Sequence, residues 1–363
     1  MGCSSLCTKK EEFEIVKNIG NKNNICHSYL IRSKTSKEEF AYKRIDISGP
    51  NNKEKKGIIN DTKILQELNH PNVILLIDSY PSENNKFLNV ISEYADGGDL
   101  QTKIDEQKKK NEYIKEDLLL NWFMQICLAL RYIHKKNVLH RDIKPSNIFL
   151  MKQDTSNFAK LGDFGVAKIL NSNLKYTRTR VSTDQYSAPE IIKNDNYSFK
   201  ADIWSLGVTF YQLITLDYPF DGKNNEEIEE NILNGNIKEI PENCKIDIKF
   251  IEIIKEMLNK RPDERPPAEE ILKRDIIKTR MQCYLKENGF DLKASKNIIE
   301  KFHKKNDDEP KRKIIVIEEE KNTNYKEEDT INDIKRTEKA IYDLNWQMTI
   351  MSKEIIKKSN TFN

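Results

Sequence analysis

The 363-residue chain lacks the features of a membrane-spanning or secreted protein. No apolar run reaches the roughly 20 residues that a bilayer-crossing helix requires. The run from Leu118 to Leu130 is shorter and is broken by Asn121 and Gln125, so it predicts a buried amphipathic helix. No secretory signal opens the chain. Its six cysteines (Cys3, Cys7, Cys26, Cys127, Cys244, Cys283) include no C-x-x-C pair, which argues against a zinc site or a disulfide framework. They are expected as reduced thiols in the cytoplasm. Net charge is also missing: 61 basic residues face 58 acidic ones, leaving +3. Nucleic-acid binding usually needs a concentrated basic face, so no nucleic-acid partner is expected. The hydrophobic fraction, 37%, is low for a wholly globular chain, so part of it is expected to stay outside any core. No internal repeat is evident.

What is present begins at the first residues. Met1-Gly2-Cys3-Ser4-Ser5-Leu6-Cys7, followed by Lys9-Lys10, looks like an acylation signal in a leader spanning 1–10. Gly2 would take myristate and Cys3 or Cys7 palmitate, although Leu6 stands where the pattern wants Ser or Thr. A single acyl chain binds membranes only marginally, so a second would be needed for peripheral attachment. A plain polar leader fits the same residues.

Residues 11–94 read as short strands with one helix. Phe13 to Val16 and Phe40 to Ile45 have strand character. Helical spacing runs from Ile58 to Leu68 and stops before His70-Pro71. From Leu100 to about Arg274 the pattern is mostly helical, with a loop-rich stretch around 138–190. Strands first and helices after predict an α+β protein of two packed lobes, at 11–94 and 95–275. Composition then shifts. Residues 303–339 are dominated by Lys, Glu, Asp and Asn and are too polar to offset their ordering entropy. Within the charged tail of 276–363, Ile341, Leu344, Met348, Met351 and Ile355 recur at alternating spacings of three and four. This is one apolar helical stripe, too short for a coiled-coil assignment. It fits docking onto the chain's own lobes as well as binding a partner.

The strongest signal is His140-Arg141-Asp142-Ile143-Lys144-Pro145-Ser146-Asn147, then Asp163-Phe164-Gly165, then Ala188-Pro189-Glu190. In this order and spacing the three form the catalytic-loop, metal-loop and anchoring set of protein kinases. Phosphoryl transfer needs mainly positioning and charge neutralisation, which explains the residue types. Asp142 would orient the substrate hydroxyl and accept its proton. Lys144 would sit beside the transferred group, and Asn147 and Asp163 would hold Mg2+ through hard oxygen donors. Lys43, in Phe40-Ala41-Tyr42-Lys43, matches the strand lysine that grips the phosphates of ATP.

Longer stretches resemble the NIMA-related (Nek) Ser/Thr kinases over roughly residues 11–275. They are Glu93-Tyr94-Ala95-Asp96-Gly97-Gly98-Asp99-Leu100, Trp122 to Leu130, Asn147 to Leu150 and Leu161 to Gly165. The resemblance implies nucleotide contacts at Gly20, Ser28, Ala41, Lys43, Asp61, Glu93, Ala95 and Asp163. It also implies protein substrates, a serine/threonine preference supported by Lys144 and Thr183, and a small residue, Ser92, closing the back of the adenine pocket. His140, Asp202 and Arg265 are expected to be structural: the first packing beside Phe164, the second bracing the catalytic loop, the third pairing with Glu190. Thr179 aligns with the activating phosphothreonine, with Thr177 as runner-up. Its phosphate would pair with Arg141 and order the segment.

Two departures stand against this pattern. Only Gly20 survives of the glycine-rich loop, which continues Asn21-Lys22-Asn23-Asn24-Ile25. Glycine normally lets the backbone N–H groups approach phosphates there. On the regulatory helix, Asp61 replaces the expected glutamate and is shorter by about 1.5 Å. Glu54 and Glu67 are in poor register to replace it. An active enzyme with weaker nucleotide binding is expected; the alternative is a pseudokinase scaffold tethered to a membrane.

Overall fold

The computed structural model describes residues 12–20, 26–82, 84–152, 158–164, 185–193, 195, 198–288, 335, 337–344 and 346. Gly2, Cys3, the loop Asn21 to Ile25, Thr177, Thr179 and Thr183 lie outside them, as do Met348, Met351 and Ile355.

Five antiparallel strands form the first lobe: β1 (Phe13–Asn18), β2 (Cys26–Ser33), β3 (Glu39–Asp46), β4 (Leu76–Pro81) and β5 (Phe87–Glu93), in the order β1-β2-β3-β5-β4. β3 is therefore central. In its register Ala41 faces Leu30 and Ser92, while Lys43 faces Ser28 and Val90. The single helix of this lobe, α1 (Asn52–Gln66), packs on β4. It starts six residues before the expected Ile58 and ends at Gln66. The start is set by a capping box that apolar spacing does not reveal: the Asn51 side chain accepts from the Lys53 and Glu54 amides, and the Glu54 carboxylate accepts from the Asn51 amide.

The second lobe is helical. α2 (Leu100–Lys110) and α3 (Glu116–Lys135) are followed by a two-stranded hairpin of β6 (Ile148–Met151) and β7 (Phe158–Leu161). Then come α4 (Pro189–Ile192), α5 (Phe199–Thr215), α6 (Asn225–Asn234), α7 (Ile248–Met257), α8 (Ala268–Leu272) and α9 (Asp275–Glu287). Two helices make most of the core. α3 buries Trp122 to Leu130 without a break, and α5 is buried from Ala201 to Ile214. A helix apolar all round must be sheathed by others.

A helix runs on from the expected lobe boundary at 275. α9 crosses it, burying Ile277, Met281, Tyr284 and Leu285 while Lys278 and Lys286 ride its other face. Arg280 anchors it to α3 through Asn121 (2.7 Å) and Asp117 (3.0 Å). The shift to charged composition marks an amphipathic helix here, not the end of the folded unit.

The two lobes share hydrogen bonds through the loop after α1. Val73 bridges Leu161 in parallel, the Leu161 amide donates to Asn72 O (2.8 Å), and the Ile74 amide donates to Leu161 O (2.8 Å). The Asn72 side chain donates to Gln125 of α3 (3.2 Å) and to Ala159 O (2.9 Å). Residues 337–344 are helical and lie against this region, with Ala340, Ile341 and Leu344 buried. Thr337 and Glu338 are buried too, although the polar composition of 303–339 favoured an unpacked segment.

Candidate active site

Asn147 enters β6 and Asp163 lies just past the end of β7, so the hairpin brings them to one place. The Gly162 amide donates to Asn147 O at 3.0 Å. Asn147 turns its amide NH2 inward, to the carbonyl of Asp142 (2.7 Å) and to its carboxylate (2.8 Å). That leaves the Asn147 side-chain oxygen as the acceptor available to a cation. Lys144 lies 3.0 Å from the Asp142 carboxylate, so a fixed positive charge stands beside the expected base. Lys43 of β3 is ion-paired with Asp163 across the lobes.

The loop carrying Asp142 is held in an uncommon conformation. Arg141 has φ 68° and Asp163 has φ 56°, both in the left-handed region that residues other than glycine seldom enter. Surrounding bonds over-determine the first of these, as a strained site requires. The fully buried Asp202 carboxylate accepts from the amides of His140 and Arg141 and contacts the His134 ring, each at 2.9 Å. Burial alone would raise the Asp202 carboxyl. The His134 hydrogen bond and charge, together with the hydrogen bond from the His140 backbone amide, outweigh it and hold the group below the ordinary carboxylate value. His140 is completely buried, contacts Gly162 O at 2.9 Å and packs its ring 4.8 Å from Phe164. Burial lowers its pKa, so it stays neutral. The geometry gives His140 and Asp202 bracing roles. Arg265 makes a buried two-pronged bond to Glu190 at 2.7 and 2.8 Å.

Of the expected adenine and phosphate contacts, Ser28, Ala41 and Lys43 lie on β2 and β3, and Glu93 and Ala95 at the end of β5 and just after it. Gly20 closes the β1–β2 approach, where an added Cβ would stand 2.8 Å from the Ser28 Cβ. Ala41 and Ser92 are register partners. After Glu93 and Ala95 the chain docks on β6 through Gly97 N–H to Leu150 O (2.8 Å), an approach so close that a Cβ on Gly97 would lie 2.5 Å from that oxygen. Glu93 can offer a nucleotide only its backbone. Its carboxylate is buried and accepts from Lys160 (2.7 Å) and from the Leu75 amide (2.8 Å). Lys160 itself was missed. Its signal was a lysine inside the apolar strand Phe158-Ala159-Lys160-Leu161, where only a buried partner allows a charge.

One expected contact is not made. Asp61, half-buried on α1, forms no ion pair with Lys43, whose ammonium goes to Asp163 instead. Glu54, the first alternative, is used in the capping box, and Glu67 is the exposed C-cap. Arg141 is placed beside Asp142, while its expected partner Thr179 lies outside the described residues.

The donor set fits Mg2+. One carboxylate (Asp163) and one amide oxygen (Asn147) are the hard ligands that magnesium combines with phosphate oxygens and water. Bound there, the metal would neutralise charge on the phosphates.

A protein kinase domain family model matches residues 13–277. The chain is 35% identical over 256 residues to "Serine/threonine-protein kinase Nek1" of Mus musculus, covering 70% of this chain and 20% of that protein. It is 34% identical to "Serine/threonine-protein kinase Nek2" of Homo sapiens (74% and 60%) and 36% identical to "Probable serine/threonine-protein kinase nek3" of Dictyostelium discoideum (79% and 25%). The similarity spans between a fifth and three fifths of these relatives' lengths.

Proposed function

The chain belongs to the protein kinase family, with the Nek Ser/Thr kinases among its relatives, and from that premise we propose that it transfers the γ-phosphate of Mg-ATP to serine and threonine hydroxyls of proteins. One observation carries the reading: Asn147 fixes the Asp142 carboxylate while keeping its own oxygen free for a cation, and Lys43 and Asp163 meet beside them. On this reading Asp142 receives the hydroxyl proton and Lys144 stabilises charge on the moving phosphoryl group. Lys43 and Asp163 neutralise each other here; Lys43 would hold phosphate oxygens and Asp163, with Asn147, would hold the metal, which would supply charge neutralisation. Thr179 phosphorylation would order the segment before Ala188-Pro189-Glu190 by pairing with Arg141.

A second reading, a pseudokinase scaffold, is favoured by the missing Lys43–Asp61 pair, since that ion pair is part of the assembled active state. The deciding experiment is radiolabel transfer from Mg-ATP to the protein itself and to casein, comparing wild type with Asp163→Ala. Transfer by wild type, reduced at least a hundredfold in the variant, is the expected result. No transfer by either form, with folding intact and the activation segment phosphorylated, selects the scaffold.

A further inference from the structure

The loop after α1 is walled on one side by a segment about three quarters of the chain away in sequence. Its His70 ring lies 4.9 Å from Tyr132 of α3 and 5.5 Å from Tyr342 of the tail. The Asn69 amide donates to the Tyr132 hydroxyl at 2.8 Å. Ile341 is fully buried, and Ala340 and Leu344 nearly so, within the same apolar cluster as Leu65, Leu68 and Val73. Glu338, buried on the tail helix, is ion-paired with Arg131 of α3.

We propose that residues 335–346 are a built-in ligand of the surface made by His70, Arg131 and Tyr132, a strap whose engagement restrains α1 where Asp61 does not meet Lys43. This regulation rests on the kinase reading above.

Two features identify a detachable contact. First, apolar anchors are ringed by charge, with a cavity of about 320 Å³ left between Arg131, Lys135 and Lys273 on one side and Lys335, Lys339 and Tyr342 on the other. Apolar anchors inside a polar, water-accessible rim are the anatomy of a docking interface. Second, the strap touches the loop at a mechanically significant point. Only Glu67, Leu68 and Asn69 separate His70 from the end of α1, so a wall against His70 limits how far the helix can swing. A ligand that binds one arrangement of a mobile element better than another shifts the population toward it.

The test uses the full chain with Glu338→Arg, Arg131→Glu, the double swap and Ile341→Asp. Amide hydrogen exchange is followed at Leu68 to Val73 and in the last turns of α1, alongside phosphate transfer to casein. Each single variant is expected to speed exchange at both places at least tenfold and to raise casein phosphorylation several-fold; the double swap should return both toward wild type. Unchanged exchange in the single variants overturns the strap. Faster exchange with an unchanged or lower transfer rate overturns its restraining role and makes it a structural prop. Should exchange respond as expected while every form, wild type included, fails to phosphorylate, the kinase reading fails. The strap's hold on α1 would then stand on exchange alone.

Discussion

Lys43 is ion-paired with Asp163 and not with Asp61, whose side chain is one methylene shorter than the glutamate expected on α1. Asp61→Glu adds about 1.5 Å of reach and should draw Lys43 away from Asp163, freeing that carboxylate for a metal ion. The expected outcome is a several-fold higher initial rate of casein phosphorylation at subsaturating ATP. An unchanged rate would place the limit in the helix position, not in the side chain. His70 gives a different kind of prediction. Burial, reinforced by the charges of Arg131 and Lys160, lowers its pKa to about 3 from an unfolded value near 6.5. The folded state therefore refuses a proton that the unfolded state takes up below pH 6.5, and stability falls as pH drops through that window. One proton contributes about 1.4 kcal/mol per pH unit, so moving from pH 7 to 5 should cost about 2 kcal/mol through His70 alone. Buried His140 adds a loss of the same sign. The acid-held Asp202 becomes a liability only below the ordinary aspartate pKa, outside the window. Urea melts at pH 7 and 5 check this: His70→Asn should remove about 2 kcal/mol of the acid-induced loss.

At the scale of elements, β7 does more than deliver Asp163. Through Lys160 it clamps the end of β5, joining the hairpin of the second lobe to the exit of the first by a pair in which both charges are buried. Removing one member leaves the other charged and dry, which typically costs about 3–5 kcal/mol. Lys160→Ala should lose that much in chemical denaturation, and pairing it with Glu93→Gln should recover part of it. The strand-then-helix order, the buried run on α3 and the spacing of the catalytic and metal loops were legible because each repeats a local rule along adjacent residues. α1 was misplaced at its start because its first turns are polar and announced by a capping pair, Asn51 and Glu54, not by apolar spacing. α9 was cut short because its exposed face carries the charge that resembles a tail. Asp61 could be placed on its helix by counting, but the partner Lys43 chooses depends on helix position, which no local pattern contains. The Lys160–Glu93 pair joins residues 67 apart and could be read only as a misfit lysine.

Across the whole molecule, the candidate site residues gather where the lobes meet, and the proposed strap lies against the same junction. The hairpin, the loop after α1 and α3 are tied by Asn72, Gln125 and Ala159, which links the end of α1 to β7, the strand that leads to Asp163. The tail helix closes on that junction from outside the domain matched by the family model. Its apolar residues Ile341 and Leu344 were visible in the sequence as a stripe. Which surface they meet was not, because nothing local to them encodes His70.

The bond from Asn72 to Ala159 spans 87 positions, and the contact from His70 to Tyr342 spans most of the chain. A ribosome makes these partners in order, so the first lobe emerges while the residues that finish its underside are still untranslated. The five strands can pair early, but the loop behind α1 waits for β7 and then for the tail helix at 337–344. A nascent chain halted before residue 335 would carry Lys43, Asp142, Asn147 and Asp163 but leave an uncovered apolar surface at His70. Such a product would present exposed apolar surface to chaperones until the tail helix had been made.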